Sequence, residues 1–282
     1  MADTALQTVY RTEFVKGFEQ RQSLLRDVCT TEAVINGNAA VFLVADSGGE
    51  TAVTRGANGL IPAKADNLTQ VTATLSEWHD LRRKTSFNLW AGQGNQRAIM
   101  QQNSMSVINR KVDDQIPTEL ATATNDTGAA VAGSVQLAIK AKVILGNNKV
   151  PWDGNVTFLV SAGFMGYLSQ APEFATAQYV NMRPMESGGT AWRDTPAAYR
   201  WQNMLIIEHP ALSLGTAAEK CYMFHKSAIG HAINMDGLQA LADYDAEQDY
   251  SWARTSGFMS AKLLQNSGVV VVNHDGSAFA AS

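Results

Sequence analysis

Cysteine is scarce in this chain: two thiols, Cys29 and Cys221, stand far apart in 282 residues. That excludes a disulfide framework and a paired-cysteine metal site, and it fits a reducing compartment. There is no cationic block and no acidic tail, and 22 basic against 26 acidic residues leave a net charge of −4. Tight nucleic-acid binding by counterion release needs a clustered cationic face, so at most passive contact with DNA or RNA is expected. The most apolar tracts, residues 39–45 and 129–139, are too short to cross a bilayer. The opening MADTALQTVYRTEFVKG carries charges throughout and lacks the apolar centre of a secretion signal. A cytosolic protein is expected, in which the sequons at Asn67, Asn125 and Asn155 carry no meaning.

Catalytic signatures are missing as well. The chain has no G-x-S-x-G elbow, H-E-x-x-H, P-loop or C-x-x-C. Gly92-x-Gly94 is half a dinucleotide fingerprint, but Arg97 stands at the third glycine position, so it reads as a helix-entry turn. Cys221 and His225 are spaced for one helix face, yet no further ligand accompanies them; a buried thiol and a core histidine are the better reading. Asp243, Asp245, Glu247 and Asp249 alternate like calcium-loop ligands, but Gln248 holds the place of the required glycine. They read as a solvated acidic turn. His79 and Asp80 are adjacent, and adjacent strand residues point to opposite faces. Trp192 and Trp201 flank a Gly/Pro-rich loop and suit core anchoring or an inter-subunit contact better than a ligand platform. No catalytic residue, cofactor or metal is therefore expected.

What is present is architecture. A hydrophobic fraction of 45% in 282 residues supports one large domain or two moderate ones. Leu6, Tyr10, Phe14, Phe18 and Leu25 recur at near-helical spacing, which predicts an amphipathic arm. Strand patterns follow at 39–45 and from Val71 to about Trp78. Between them lies a long polar excursion, 46–70, whose interior offers only Val53, Leu60 and Ile61 as large aliphatic anchors. Those are too few for a core of its own, and structureless loops of that length are functional or disordered. Ala98, Met105, Ile108 and Val112 predict one apolar face of a long helix, which Pro117 ends or kinks. Val131, Val135, Ile139 and Val143 predict a second helix, stopped at Gly146-Asn147-Asn148. A buried strand, 156–160, and a helix capped by Ser161 come next, then strands at YRWQNMLIIE, CYMFHKSAIGHAINM, GFMSAKLLQ and GVVVVNHDG. Helices and strands intersperse without β-α-β rhythm, which predicts α+β. An arm, an unsupported loop and a half-exposed helix leave surface that a lone chain does not cover, favouring a subunit of an assembly.

Over nearly its whole length this order resembles the major capsid proteins of tailed bacteriophages, the Hong Kong-type fold shared with encapsulin shells. The stretch ILGNNKVPWDGNVTFLVSAGFMGYLSQAPEF carries the best single match, supported by INRKVDDQI and by the closing FHKSAIGHAINM and GFMSAKLLQNSGVVVVNHDG. The resemblance implies an N-terminal arm (1–36) and a peripheral domain (37–127 with 262–282) that holds the extended loop 46–70 and a spine helix at 93–116. It implies an axial domain at 128–261. It also implies self-assembly into hexamers and pentamers of an icosahedral shell around double-stranded DNA, in host cytoplasm and then in the virion. Val53, Arg55, Leu60, Ile61 and Lys64 of the loop, and Tyr10, Phe14 and Phe18 of the arm, become inter-subunit contacts. Relatives with a fused scaffolding region exceed this chain's length, so the resemblance implies a separate scaffold protein or none, the separate scaffold being the expectation, with a portal and decoration proteins as further partners. An encapsulin-type compartment, or another virion component such as a tail or decoration protein, is the alternative.

Overall fold

A computed structural model describes residues 23–31, 34–46, 51–56, 58–64, 67–91, 96–175, 180–181 and 198–279. In chain order the elements are β1 (Val34–Asn36), β2 (Ala39–Asp46), β3 (Asn67–Thr74), β4 (Ser76–Thr85), α1 (Ser86–Ala91), α2 (Gln96–Leu120), β5 (Val131–Ala132), α3 (Val135–Asn147), β6 (Val156–Val160), α4 (Ala162–Gln170), α5 (Pro172–Ala175), β7 (Val180–Asn181), β8 (Ala198–Trp201), β9 (Met204–Glu208), β10 (Glu219–His225), β11 (Ile229–Asp245), β12 (Tyr250–Leu263) and β13 (Val269–Asp275). The expected α+β class holds. Three sheets form, ordered β1-β2-β3, β5-β13-β10-β6-β9-β8-β7 and β11-β12-β4. The chain divides into two compact units, residues 1–23, 76–113 and 233–259 in one, and 24–75, 114–232 and 260–282 in the other.

In the first unit the long strand β4 pairs with β12 from Thr85↔Tyr250 to Ser76↔Met259. Alternate residues of β4 face α2: Trp78 packs with Ile108, Val112 and Met259, and Lys84 reaches Gln96 Oε1 at 2.5 Å. The sheet thus unites segments that the sequence division places on either side of residue 128. The helical stripe differs from the expected one. Met105 is exposed, as is Ala98, and a buried stripe runs along α2 through Met100, Ser104, Ile108, Val112, Ile116 and Leu120, one every four, with Gln96, Ser106, Asp113 and Pro117 buried beside it. Ser104 belongs to that stripe because its hydroxyl donates to Asp80 O and accepts from Thr255 N. A search for apolar residues alone passes over it. Pro117 does not end α2, which runs on to Leu120. A proline inside a helix costs about 3 kcal/mol. Ile116 and Leu120, both fully buried, offset it at about 1.5–3 kcal/mol each.

The second unit holds the larger cores. One is built on β6, all five residues of which are buried, with α3, α4, Trp201, Met223 and Val270. Ser161 caps α4 as expected, accepting from Phe164 N at 3.2 Å. α3, capped by Ser134, starts one turn later than expected, with Val131 on β5 instead, and it turns the opposite face to the core. Leu137, Ala138, Ala141 and Leu145 are buried, whereas Ile139 and Val143 are exposed. The segment read as one strand, YRWQNMLIIE, is the hairpin β8–β9. Gln202 and Asn203 both take positive φ, 46° and 67°, which is the type I′ turn that joins tightly paired strands. A second core gathers Leu25, Ile116, Leu120, Tyr222, Phe224 and Val269.

Candidate functional site: an unsupported ribbon

β2 and β3 pair antiparallel without a break from Ala39↔Thr74 to Asp46↔Asn67. Among the described residues this ribbon is anchored at its base, where Ala40, Phe42 and Ala73 pack with Ala232. The fit there is close: a methyl group added at Gly230 would stand 2.6 Å from the Phe42 ring. Beyond the base, apolar side chains point into solvent. Leu43 and Leu68 are exposed, and in the loop Leu60 is 73% and Ile61 65% exposed, with Val53 also uncovered. All described residues from 51 to 64 are exposed.

The loop nevertheless has local order. Gly59 N donates to Gly56 O at 2.8 Å, and Gly56 N donates to Leu60 O at 2.9 Å. Gly59 takes φ +70°, which only glycine adopts freely. The two cations brace the same loop: an Arg55 guanidinium nitrogen donates to Gly59 O at 3.3 Å, and Lys64 Nζ donates to Thr51 O. The five loop residues expected to act together therefore sit on one solvent-facing excursion. Tyr10, Phe14 and Phe18 lie outside the described residues.

The groups weighed for chemistry take structural places. Cys221 and His225 lie on strand β10, not on a helix, so four residues separate them by about 13 Å. Burial pushes the Cys221 thiol up to about 12, leaving it un-ionised. His225 Nε2 meets Asp153 Oδ1 at 3.1 Å. The acidic run forms the β11–β12 turn, where Asp245 accepts from Glu247 N and Gln248 N, and Asp249 accepts from Ser86 and Tyr244 hydroxyls. The Asp245 and Asp249 carboxylates are thus engaged in holding the turn and its flank. His79 and Asp80 do face apart, to Ser256 and Arg82 respectively. Trp201 is a core anchor, 1% exposed, and Trp192 lies outside the described residues. Among the described residues no group of three potential ligands could hold a metal, and no helix is long and apolar enough to cross a membrane.

Sequence reasoning missed one constellation. Ser161 Oγ lies 2.9 Å from His274 Nε2, and Glu219 Oε2 lies 3.2 Å from the same nitrogen. All three residues are at most 1% exposed. Burial raises the Glu219 carboxyl, but hydrogen bonds from Ser161, Gly215 N and Leu214 N, with the His274 charge, outweigh it and hold the group below its usual range. Burial holds His274 below its ordinary value, against the pull of Glu219 and Asp275. A serine nucleophile needs its base on one imidazole nitrogen and the orienting acid on the other. Here serine and acid share Nε2 inside a sealed core, so the cluster ties β10 and β13 to the start of α4. Its members span more than a hundred residues, and the one local signal is Gly276, where a Cβ would fall 2.6 Å from the Glu219 carboxyl carbon.

A mixed fold with a long helix, a projecting two-stranded ribbon and two compact units defines the class of tailed-phage capsid subunits, and solved capsids share it. The chain matches a solved structure of Mycobacterium phage Che8 with TM-score 0.69 at 18% identity, covering 96% of this chain and 98% of that one. The capsid of Ralstonia phage GP4 matches with TM-score 0.68 at 10% identity, covering 96% and 95%. The capsid of a native gene transfer agent particle matches with TM-score 0.64 at 12% identity, covering 97% and 99%. No curated protein sequence matches the chain. The family model described as phage capsid protein matches residues 2–276, and the chain belongs to that family as a structural capsid subunit.

Proposed function

We propose that copies of this subunit form hexamers and pentamers that close into an icosahedral shell around double-stranded DNA. The observation that carries the reading is the 51–64 loop: ordered by its own hydrogen bonds, yet with its apolar side chains in solvent. Val53, Leu60 and Ile61 supply apolar contact on a neighbouring copy, and Arg55 and Lys64 hold the loop in shape for it. Tyr10, Phe14 and Phe18 latch the arm to a further copy. Each contact is modest, and multiplicity makes the shell stable while single contacts stay reversible.

The net charge of −4 suits a wall that packed DNA slides past. A separate scaffold protein, a portal and decoration proteins complete the head, assembled in host cytoplasm. We assign the chain no catalytic role. The arm (1–36), peripheral domain (37–127 with 262–282) and axial domain (128–261) remain our division. The sheet joining β4 to β11 and β12 argues for moving 233–259 to the peripheral part. Replacing residues 50–68 by a short Gly-Ser link is expected to leave soluble rings or monomers and no closed shells by negative-stain microscopy. Normal particles from that variant sink the loop assignment.

A further inference from the structure

We propose that Asn58, at the tip of the extended loop, is a spontaneous modification site that times out unassembled subunits. The chain has two Asn-Gly pairs, Asn36-Gly37 and Asn58-Gly59. An Asn followed by Gly is chemically exposed because the next backbone nitrogen is not shielded by a side chain. The Gly59 nitrogen attacks Asn58 Cγ, a C–N bond forms, the Cγ–NH2 bond breaks, and the amide leaves as ammonia with the transferred proton. Water then adds to either carbonyl of the five-membered succinimide and opens it to aspartate or isoaspartate. No oxidant or cofactor is needed.

The two pairs differ in what holds them. Asn36 ends β1 in register with Ala39, and Leu75 N donates to Asn38 O at 2.7 Å, so ladder and neighbour fix that turn. At the loop tip, Gly59 N must leave Gly56 O before it can attack, and one further turn bond closes the tip. The Arg55 bond to Gly59 O also holds the tip, but no strand pairing does among the described residues, and Asn58, Gly59, Leu60 and Ile61 are all exposed; the space beside Gly37 is equally open, so pairing rather than access separates the two sites. Local opening of so little structure is cheap. One or two net hydrogen bonds separate the sites, which corresponds to about tenfold in rate or more. The product adds a negative charge, and in the isoaspartyl form an extra backbone atom, beside Leu60 and Ile61 and at the Arg55–Gly59 bond. A subunit that assembles promptly hides the tip; one that lingers loses its docking loop. This last step rests on the assembly reading above.

The test uses full-length subunits held free in buffer and sampled by peptide mass spectrometry, with isoaspartyl detection at both sites. Asn58 is expected to convert about tenfold faster than Asn36 or more; conversion no faster than at Asn36 overturns the site. Aged wild-type subunits are expected to assemble less than fresh ones while aged Asn58→Gln retains its yield, since glutamine closes the ring far more slowly. Equal losses in both overturn the timer. Conversion in closed particles as fast as in free subunits leaves the site standing and removes the assembly reading.

Discussion

Leu60→Ala/Ile61→Ala separates the energetics of assembly from those of folding. In the isolated subunit Leu60 is 73% and Ile61 65% exposed, so their truncation removes almost nothing from the fold. Surface changes of this kind stay within about 0.5 kcal/mol. If a neighbouring copy covers them, each has most of its surface left to bury, and full burial of Leu or Ile is worth about 1.5–3 kcal/mol. Allowing for the methyl that alanine keeps, the pair loses about 2–3 kcal/mol per subunit. Every 1.4 kcal/mol is about tenfold, so the critical concentration for shells rises by about a hundredfold. Light scattering across a concentration series reads that shift, and thermal unfolding of the free subunit reads its stability. An unchanged critical concentration refutes the assignment. A large drop in melting temperature refutes the premise that these residues are uncovered in the free chain.

Gly276→Ala forces a Cβ to within 2.6 Å of the Glu219 carboxyl carbon in a sealed core, so about 1–3 kcal/mol of stability should be lost in denaturant titration; a neutral result shows the site can yield. Stability should fall in acid. His274 is held below its ordinary 6.5 by burial, so the unfolded chain binds the proton more readily, and the loss begins as pH drops through 6.5. Glu219, held below its ordinary 4.5, adds a second loss as pH falls through its folded value. Unfolding free energies measured from pH 8 downward are expected to decline first in the histidine window, and His274→Asn to flatten that part of the curve; a flat wild-type profile contradicts the cluster. Trypsin should cut free subunits after Arg55 and Lys64, both exposed, and spare these bonds in closed shells; equal cutting argues against a covered loop. Cys221 is sealed and un-ionised, so thiol reagents should label it only on unfolding; labelling of the native protein places it at a surface.

Element positions were legible in the sequence where one physical signal dominated. β6 shows as a run of five buried residues, and Ser161 and Gly146-Asn147-Asn148 bound their helices by capping chemistry. Faces were less legible, because apolar spacing does not say where a stripe points. The recurring Val131, Val135, Ile139 and Val143 suggested one helix with that core face, whereas Val131 lies on β5 and Leu and Ala supply the core face of α3. On α2 a serine completes the buried series because two backbone groups satisfy its hydroxyl. Pro117 suggests an end or a kink because its local cost is visible in the sequence and the offsetting burial of Ile116 and Leu120 is not. The Ser161–Glu219–His274 cluster was out of reach: three sequence-distant residues meet only after β10 and β13 pair. The loop was legible for the opposite reason. Its lack of apolar residues is itself the signal, and the fold adds only that the few it has stay outside.

That shortage also has a limit from the other side. A subunit that buried its own loop would gain nothing there by associating, so the free energy of closure must come from surface left uncovered on the free chain. A ribbon with unpaired edges and many apolar residues, however, templates indiscriminate pairing. Between these limits the loop keeps Val53, Leu60 and Ile61 and surrounds them with Gly56, Gly59, Pro62, Arg55 and Lys64, which twist, break or charge the edge. The internal bonds of Arg55 and Lys64 hold the loop's shape before a partner arrives, and preorganisation of this kind lowers the ordering cost on docking. On the proposed assembly, three modest anchors on a preformed loop would give a contact weak enough to break when misplaced, and its repetition around a closed shell would supply the strength that a single copy lacks.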